Sequence, residues 1–151
     1  MSMVNITLPD GTINEYAAGV TAGEVVIDAL GKKHGCLAAR VNAVQCDFST
    51  PITDDCSIEG ISAQSDEGMY ILRHSAAHLL AQAMSELYPD AKPTIGPPVD
   101  RGFYYDFAME PIGESDLKPI EKKMHEIARR NLTIERIELD NEELREHFTS
   151  N

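Results

Sequence analysis

His74 and His78 stand four residues apart, the spacing at which two side chains leave one face of a helix about one turn from each other. Two imidazoles so placed can share a metal ion, or can move a proton and orient a substrate together. Spacing alone does not choose between these. No glutamate turns the pair into a His-Glu-x-x-His motif, so packing histidines remain a third reading. Further along, Ile95-Gly96-Pro97-Pro98 combines a residue without a side chain with two stiff ones. Such a loop can bring its backbone close to a ligand, or can simply be a tight connection. Phe103-Tyr104-Tyr105-Asp106-Phe107 is an aromatic run expected to form a strand. There Phe103 and Tyr105 would share one face, and Tyr104 and Asp106 the other. His34, His125 and His147 fall at loop, charged-helix and terminal positions and read as solvated. Lys122, Lys123, Arg129 and Arg130 are interleaved with acids and lack aromatics, which reads as a solvated helix face rather than a nucleic-acid patch.

The histidine pair needs a helix to present it. Met69, Leu72, Ala76, Leu79, Leu80, Ala83, Met84 and Leu87 recur at spacings of three and four from Ser65 until Pro89, predicting one long amphipathic helix. Residues 94–102 read as a loop, and Ser115 as the cap of a second helix reaching Asn131 with Leu117, Ile120, Met124, Ile127 and Ala128 on its apolar side. Residues 133–139 alternate as a strand, and Asp140 with Glu143 opens a final helical turn. Upstream, residues 4–8 and 12–16 flank Pro9-Asp10-Gly11 as a β-hairpin. Thr21 and Glu24 form a capping box for a short helix ending near Gly31 or Gly35. Residues 37–42 and 43–47 supply further strands, and residues 50–60 a turn and a final strand. This ββα then ββ order, one helix across a mixed sheet, predicts an α+β roll of the ubiquitin-like kind over residues 1–63. Residues 64–151 form a second, α+β domain.

The 151 residues are 42% hydrophobic and 25% charged, the mix of a folded globular chain rather than a disordered one. The formal net charge is −12. Residues 1–63 hold eight acids and three bases, and residues 64–151 seventeen and ten, so both parts repel phosphate and a standalone nucleic-acid binder is disfavoured. Cys36, Cys46 and Cys56 make neither an even disulfide set nor a Cys-x-x-Cys metal pair, and read as free thiols of a reducing cytoplasm. No apolar run approaches the ~18 residues of a membrane span, and no basic-then-apolar leader follows Met1. A cytoplasmic protein is expected.

Arg73-His74-Ser75-Ala76-Ala77-His78-Leu79-Leu80, Ile95-Gly96-Pro97, Gly102-Phe103-Tyr104-Tyr105-Asp106 and Glu121-Lys122-Lys123-Met124, in that order, resemble the second N-terminal domain of threonyl-tRNA synthetases. Residues 4–61 resemble the TGS domain, a β-grasp unit those enzymes carry just before it. The resemblance implies a site that hydrolyses serine wrongly esterified to threonine tRNA. It also implies roles: His74 and His78 line the pocket for the terminal adenosine and the ester, Gly96 offers backbone contact to substrate, and Tyr105 lies near the reacting ester. In the family a lysine and a Cys-x-x-x-His segment complete the pocket downstream. Neither occurs before Asn151, so a truncated chain with half a site is expected, without catalysis of its own. The same histidine spacing resembles the zinc-binding half of alanyl-type editing domains, but zinc sites use three or four ligands and no metal is expected here. ATP, magnesium and zinc belong, by the resemblance, to an aminoacylation domain outside these residues. The partner would be threonine tRNA, and the parent enzyme a homodimer through other domains. The competing expectation is a non-catalytic TGS module that binds RNA or protein.

Overall fold

In the computed structural model, residues 2–134 and 137–149 are described. β1 (Met3–Thr7) and β2 (Ile13–Ala17) pair antiparallel as the predicted hairpin. β3 (Val20–Thr21) leads into α1 (Ala22–Leu30), whose N-terminus carries the expected reciprocal cap. The Thr21 side chain accepts from the Glu24 N–H, and the Glu24 carboxylate accepts from the Thr21 N–H. β4 (Cys36–Val41), β5 (Val44–Cys46), β6 (Pro51–Ile52) and β7 (Cys56–Ser62) follow. One sheet of order β2-β1-β7-β4-β5 results, with β1 and β7 parallel and the remaining pairs antiparallel. β3 and β6 form a separate short pair. Period-two alternation on β1 buries Val4 and Ile6, which join Val25 and Val26 of α1 with Ala39, Ile52 and Ile58 in one core. The mixed sheet with a helix across it is as expected. One local difference is at Asn42 and Ala43, both predicted in strands but found in the left-handed turn joining β4 to β5, at φ 47° and 68°.

α2 (Asp66–Leu87) is the long helix, capped by the Ser65 hydroxyl, which accepts from the Gly68 N–H at 3.0 Å. Its first turn lies on β7: a Cβ on Gly68 would meet the Ser62 carbonyl oxygen at 1.9 Å, so this contact requires glycine. Arg40 on β4 pairs with Glu59 and with Glu67, joining the sheet to α2. Burial along α2 departs from the predicted stripe. Ala83 and Met84 of the stripe are buried as predicted, but Leu72 is exposed and Ala77, outside the stripe, is buried, because α2 is covered on two sides, by α3 and by the short strands after it.

Those strands are β8 (Lys92–Ile95), β9 (Pro98–Val99), β10 (Gly102–Phe103) and β11 (Asp106–Ala108). The stretch 94–102, expected to be loop, therefore contains strand, because its backbone groups find partners in residues that follow: β8 pairs with β11 and β9 with β10. The single aromatic strand expected over 103–107 is split between β10 and β11, with Tyr104 and Tyr105 in neither. The predicted alternation nevertheless persists in the burial: Phe103 and Tyr105 are part-buried, whereas Tyr104 and Asp106 are exposed. α3 (Glu114–Arg130) starts from Gly113 rather than Ser115. The Asp116 carboxylate accepts from the Gly113 N–H at 2.8 Å and from the Tyr88 hydroxyl at 3.2 Å, so this one side chain both caps α3 and ties it to the end of α2. α4 (Asn141–His147) is opened by Asp140 and Glu143 as expected. The strand predicted over 133–139 is not found at its described positions, and residues 135 and 136 lie outside the described residues. Ile134 is 90% exposed, so no packed partner reinforces the alternating pattern there.

Candidate functional site

Helical spacing delivers the histidine pair as expected. The Nε2 atoms of His74 and His78 are 2.9 Å apart, with ring centroids at 4.7 Å. That distance is a hydrogen bond, so one ring donates from Nε2 and the other accepts there; two rings both protonated at Nε2 would present donor to donor. The pair can hand a proton from ring to ring, or open to take a water or an ester oxygen between them. Both residues are exposed, and neither is sealed in the core. Tyr70, one further turn back, stacks on His74 with centroids 6.5 Å apart. It was not singled out in the sequence, although its four-residue step to His74 is the signal that marks His74 and His78.

His78 opens onto a cavity of about 660 Å³. Ser75, Leu79 and Gln82 of α2 form one wall, Ile127 and Ala128 of α3 another, and residues 131–134 the third. The third wall begins at Asn131, whose left-handed conformation (φ 47°, ψ 49°) ends α3 and turns the chain back.

Gly96 and Tyr105 form a second pair, and neither is among the residues lining that cavity. Ile95 lies across from Asp106 at the end of the β8–β11 ladder, and just beyond it the Tyr105 ring covers Gly96. A Cβ on Gly96 would meet ring carbons of Tyr105 at 2.1, 2.4 and 2.6 Å. Tyr105 also stacks on Phe107, centroids 4.8 Å apart. The lack of a side chain at position 96 is thus accounted for by an aromatic ring of the same chain. The four expected site residues make two contacting pairs, His74 with His78 and Gly96 with Tyr105.

Electrostatics gather where α2 meets α3. Arg130 forks onto Glu86 with hydrogen bonds of 2.7 and 2.8 Å and reaches Glu126 at 2.7 Å. Lys123 bonds Glu126 at 2.9 Å and lies 3.7 Å from Glu86. The Arg130 guanidinium, seconded by Lys123, holds the Glu126 carboxyl down at about 2. Arg130 also lowers Glu86, while Glu86 and then Glu126 raise Arg130. Lys123 and Arg130 are therefore not simply solvated, as the sequence had implied: with the acids beside them they make a four-residue network. The three cysteines are half-buried free thiols, each pushed up chiefly by burial. Among the described residues no group of three or more His, Cys, Asp or Glu side chains could hold a metal ion. No described helix is long and apolar enough to cross a membrane.

No protein-family model matches the chain. Individual proteins do. Threonine–tRNA ligase 1 of Bacillus subtilis is 45% identical over 148 residues, which are 97% of this chain and 23% of that protein. Its relatives are the threonine–tRNA ligases. The ligase of Halobacterium salinarum is 41% identical over 152 residues, 100% of this chain and 24% of its own. That of Francisella tularensis is 46% identical over 136 residues, 87% and 21%. The chain spans about a quarter of the length of the curated relatives it matches. The threonine–tRNA ligase likeness runs through both the sheet and α2 and is not confined to either.

Proposed function

We propose that this chain is a proofreading region of a threonine–tRNA ligase. On this reading residues 1–63 are a β-grasp (TGS) unit and residues 64–151 the first part of an editing domain that hydrolyses serine wrongly joined to threonine tRNA. Serine lacks one methyl of threonine, and a binding pocket gains only about 1–3 kcal/mol from such a difference. A ligase for threonine thus needs a second site that admits the smaller ester. The observation that carries the proposal is the 2.9 Å contact between the His74 and His78 Nε2 atoms, with His78 lining an open cavity, in a chain similar to threonine–tRNA ligases. That pair would hold the ester and a water, with one ring taking a proton as the water attacks the carbonyl carbon. Gly96 and Tyr105, packed on each other at the end of the β8–β11 ladder, would be the remaining site residues, Tyr105 the one nearer the reacting ester. ATP-dependent activation of threonine would belong to other parts of the ligase, as would dimer formation, and the setting would be cytoplasmic translation.

The test is hydrolysis of seryl-tRNA(Thr) and threonyl-tRNA(Thr) by the full-length ligase carrying this region. The native protein should release serine and spare threonine, and His74→Ala or His78→Ala should slow serine release by about 100-fold or more, the usual contribution of a positioned acid–base group. Wild-type rates of serine release in both variants would defeat the proposal.

A further inference from the structure

Three walls bound the cavity at His78, and they are held in different ways. The α2 and α3 walls stand on buried residues, Ala83 and Met84 on one helix and Ile120 and Ile127 on the other. The third wall has no such anchor: Leu132 is 56% exposed and Ile134 90%. Burial cannot fix a segment whose apolar side chains face water. What precedes that segment directly is Arg130, the last residue of α3, followed by the left-handed Asn131.

Arg130 is fixed on two sides. Its fork to Glu86 spans from α3 to α2, and its bond to Glu126 sets the guanidinium plane from within α3. A planar two-point contact of this kind fixes orientation as well as distance, which a single-point lysine contact does not. Glu86 also accepts from the Gln82 amide at 3.3 Å, and Gln82 lines the cavity beside His78. The fork accordingly touches the α2 wall through Gln82 and the third wall through the backbone of residues 130–131.

We infer that Arg130 is a positioning residue: its fork to Glu86 fixes where residues 131–134 stand relative to His78, and so sets the width of the cavity for the small acyl ester of an adenosine. The inference rests on the proposed function for the nature of the ligand, but not for the geometry. Arg130 itself touches no reacting atom. Its removal leaves the His74–His78 contact intact and lets the third wall drift.

The experiment uses the whole ligase, native and with Arg130→Met, Glu86→Gln, or the exchanged pair Glu86→Arg with Arg130→Glu. Methyl order parameters of Leu132 and Ile134, read by NMR of selectively methyl-labelled ligase, are measured alongside the affinity for 3′-deoxy-3′-serylamino-adenosine, an amide stand-in for the ester. Arg130→Met should lower the order of Leu132 and Ile134 clearly while the methyls of Leu79 and Leu80 on α2 keep theirs. It should weaken the probe about tenfold, and in turnover raise KM more than it lowers kcat. The exchanged pair should recover part of both effects. Unchanged order at Leu132 and Ile134 in Arg130→Met overturns the inference, and so does order that falls equally at Leu79 and Leu80, which marks a merely structural brace. If the native ligase binds no probe, the proposed function fails while the methyl comparison still decides the role of Arg130.

Discussion

Gly96→Ala measures how far the Tyr105 ring dictates its surroundings. The added methyl would lie 2.1, 2.4 and 2.6 Å from three carbons of that ring, against about 3.5–4.0 Å for an ordinary carbon contact. The ring must therefore withdraw by roughly 1.5 Å, and its withdrawal disturbs the stack on Phe107. Overpacking of this sort costs about 1–3 kcal/mol, or a fall in melting temperature of roughly 3–10 °C for a chain of this size. The assay is urea unfolding of four proteins: native, Gly96→Ala, Tyr105→Ala and the double variant. With the ring removed the methyl has room, so the glycine substitution should cost little in the Tyr105→Ala background, a coupling of about 1–3 kcal/mol. Equal costs in both backgrounds would refute the reasoning, as would a Gly96→Ala protein as stable as the native one. Retained stability with lost ester hydrolysis would instead return Gly96 to the ligand-contact role expected from the sequence.

Gly68→Ala should be among the most damaging single changes, because its methyl meets the Ser62 backbone oxygen at 1.9 Å and backbone yields less readily than a side chain; circular dichroism melts will show it. Ala43→Gly should stabilise by about 0.5–1 kcal/mol, since Ala43 sits at φ 68°, where an L side chain is penalised by roughly 1–2 kcal/mol that glycine's own chain entropy only partly offsets; urea midpoints decide it. The folded Glu126 carboxyl lies at about 2, below its usual 4.5, so its contribution is fully present above pH 4.5 and is lost as pH falls towards 2. Amide protection in α3, taken relative to the intrinsic exchange rate at each pH, should accordingly fall across that window in the native protein, and Arg130→Met should flatten the dependence.

Elements whose signal is local were legible in the residues. The Thr21–Glu24 and Asp140–Glu143 boxes each close within one turn, and the Ser65 start of α2 is a single side chain meeting a nearby N–H. Even the His74–His78 contact follows from helix pitch alone, which is why four-residue spacing was enough to foresee it. β8 and β9 were missed because a two- or four-residue strand exists only through the partner that completes its hydrogen bonds. For β8 that partner, β11, comes after the Gly96 turn. Ser115 lost the cap of α3 to Gly113 because Asp116 was recruited by Tyr88 from another helix.

The sequence by itself determined the helix that carries the histidines, the hairpin and capped helix of the sheet, and the acidic balance of both parts, all properties of residue type and short-range spacing. Only the tertiary structure decided that Gly96 is filled by Tyr105, that Arg130 of α3 forks onto Glu86 of α2, and that His78 borders a cavity whose third side is residues 131–134. Each of these depends on which distant segments share space, and a guanidinium forty-four positions from its carboxylate leaves no periodicity in the chain by which to be found.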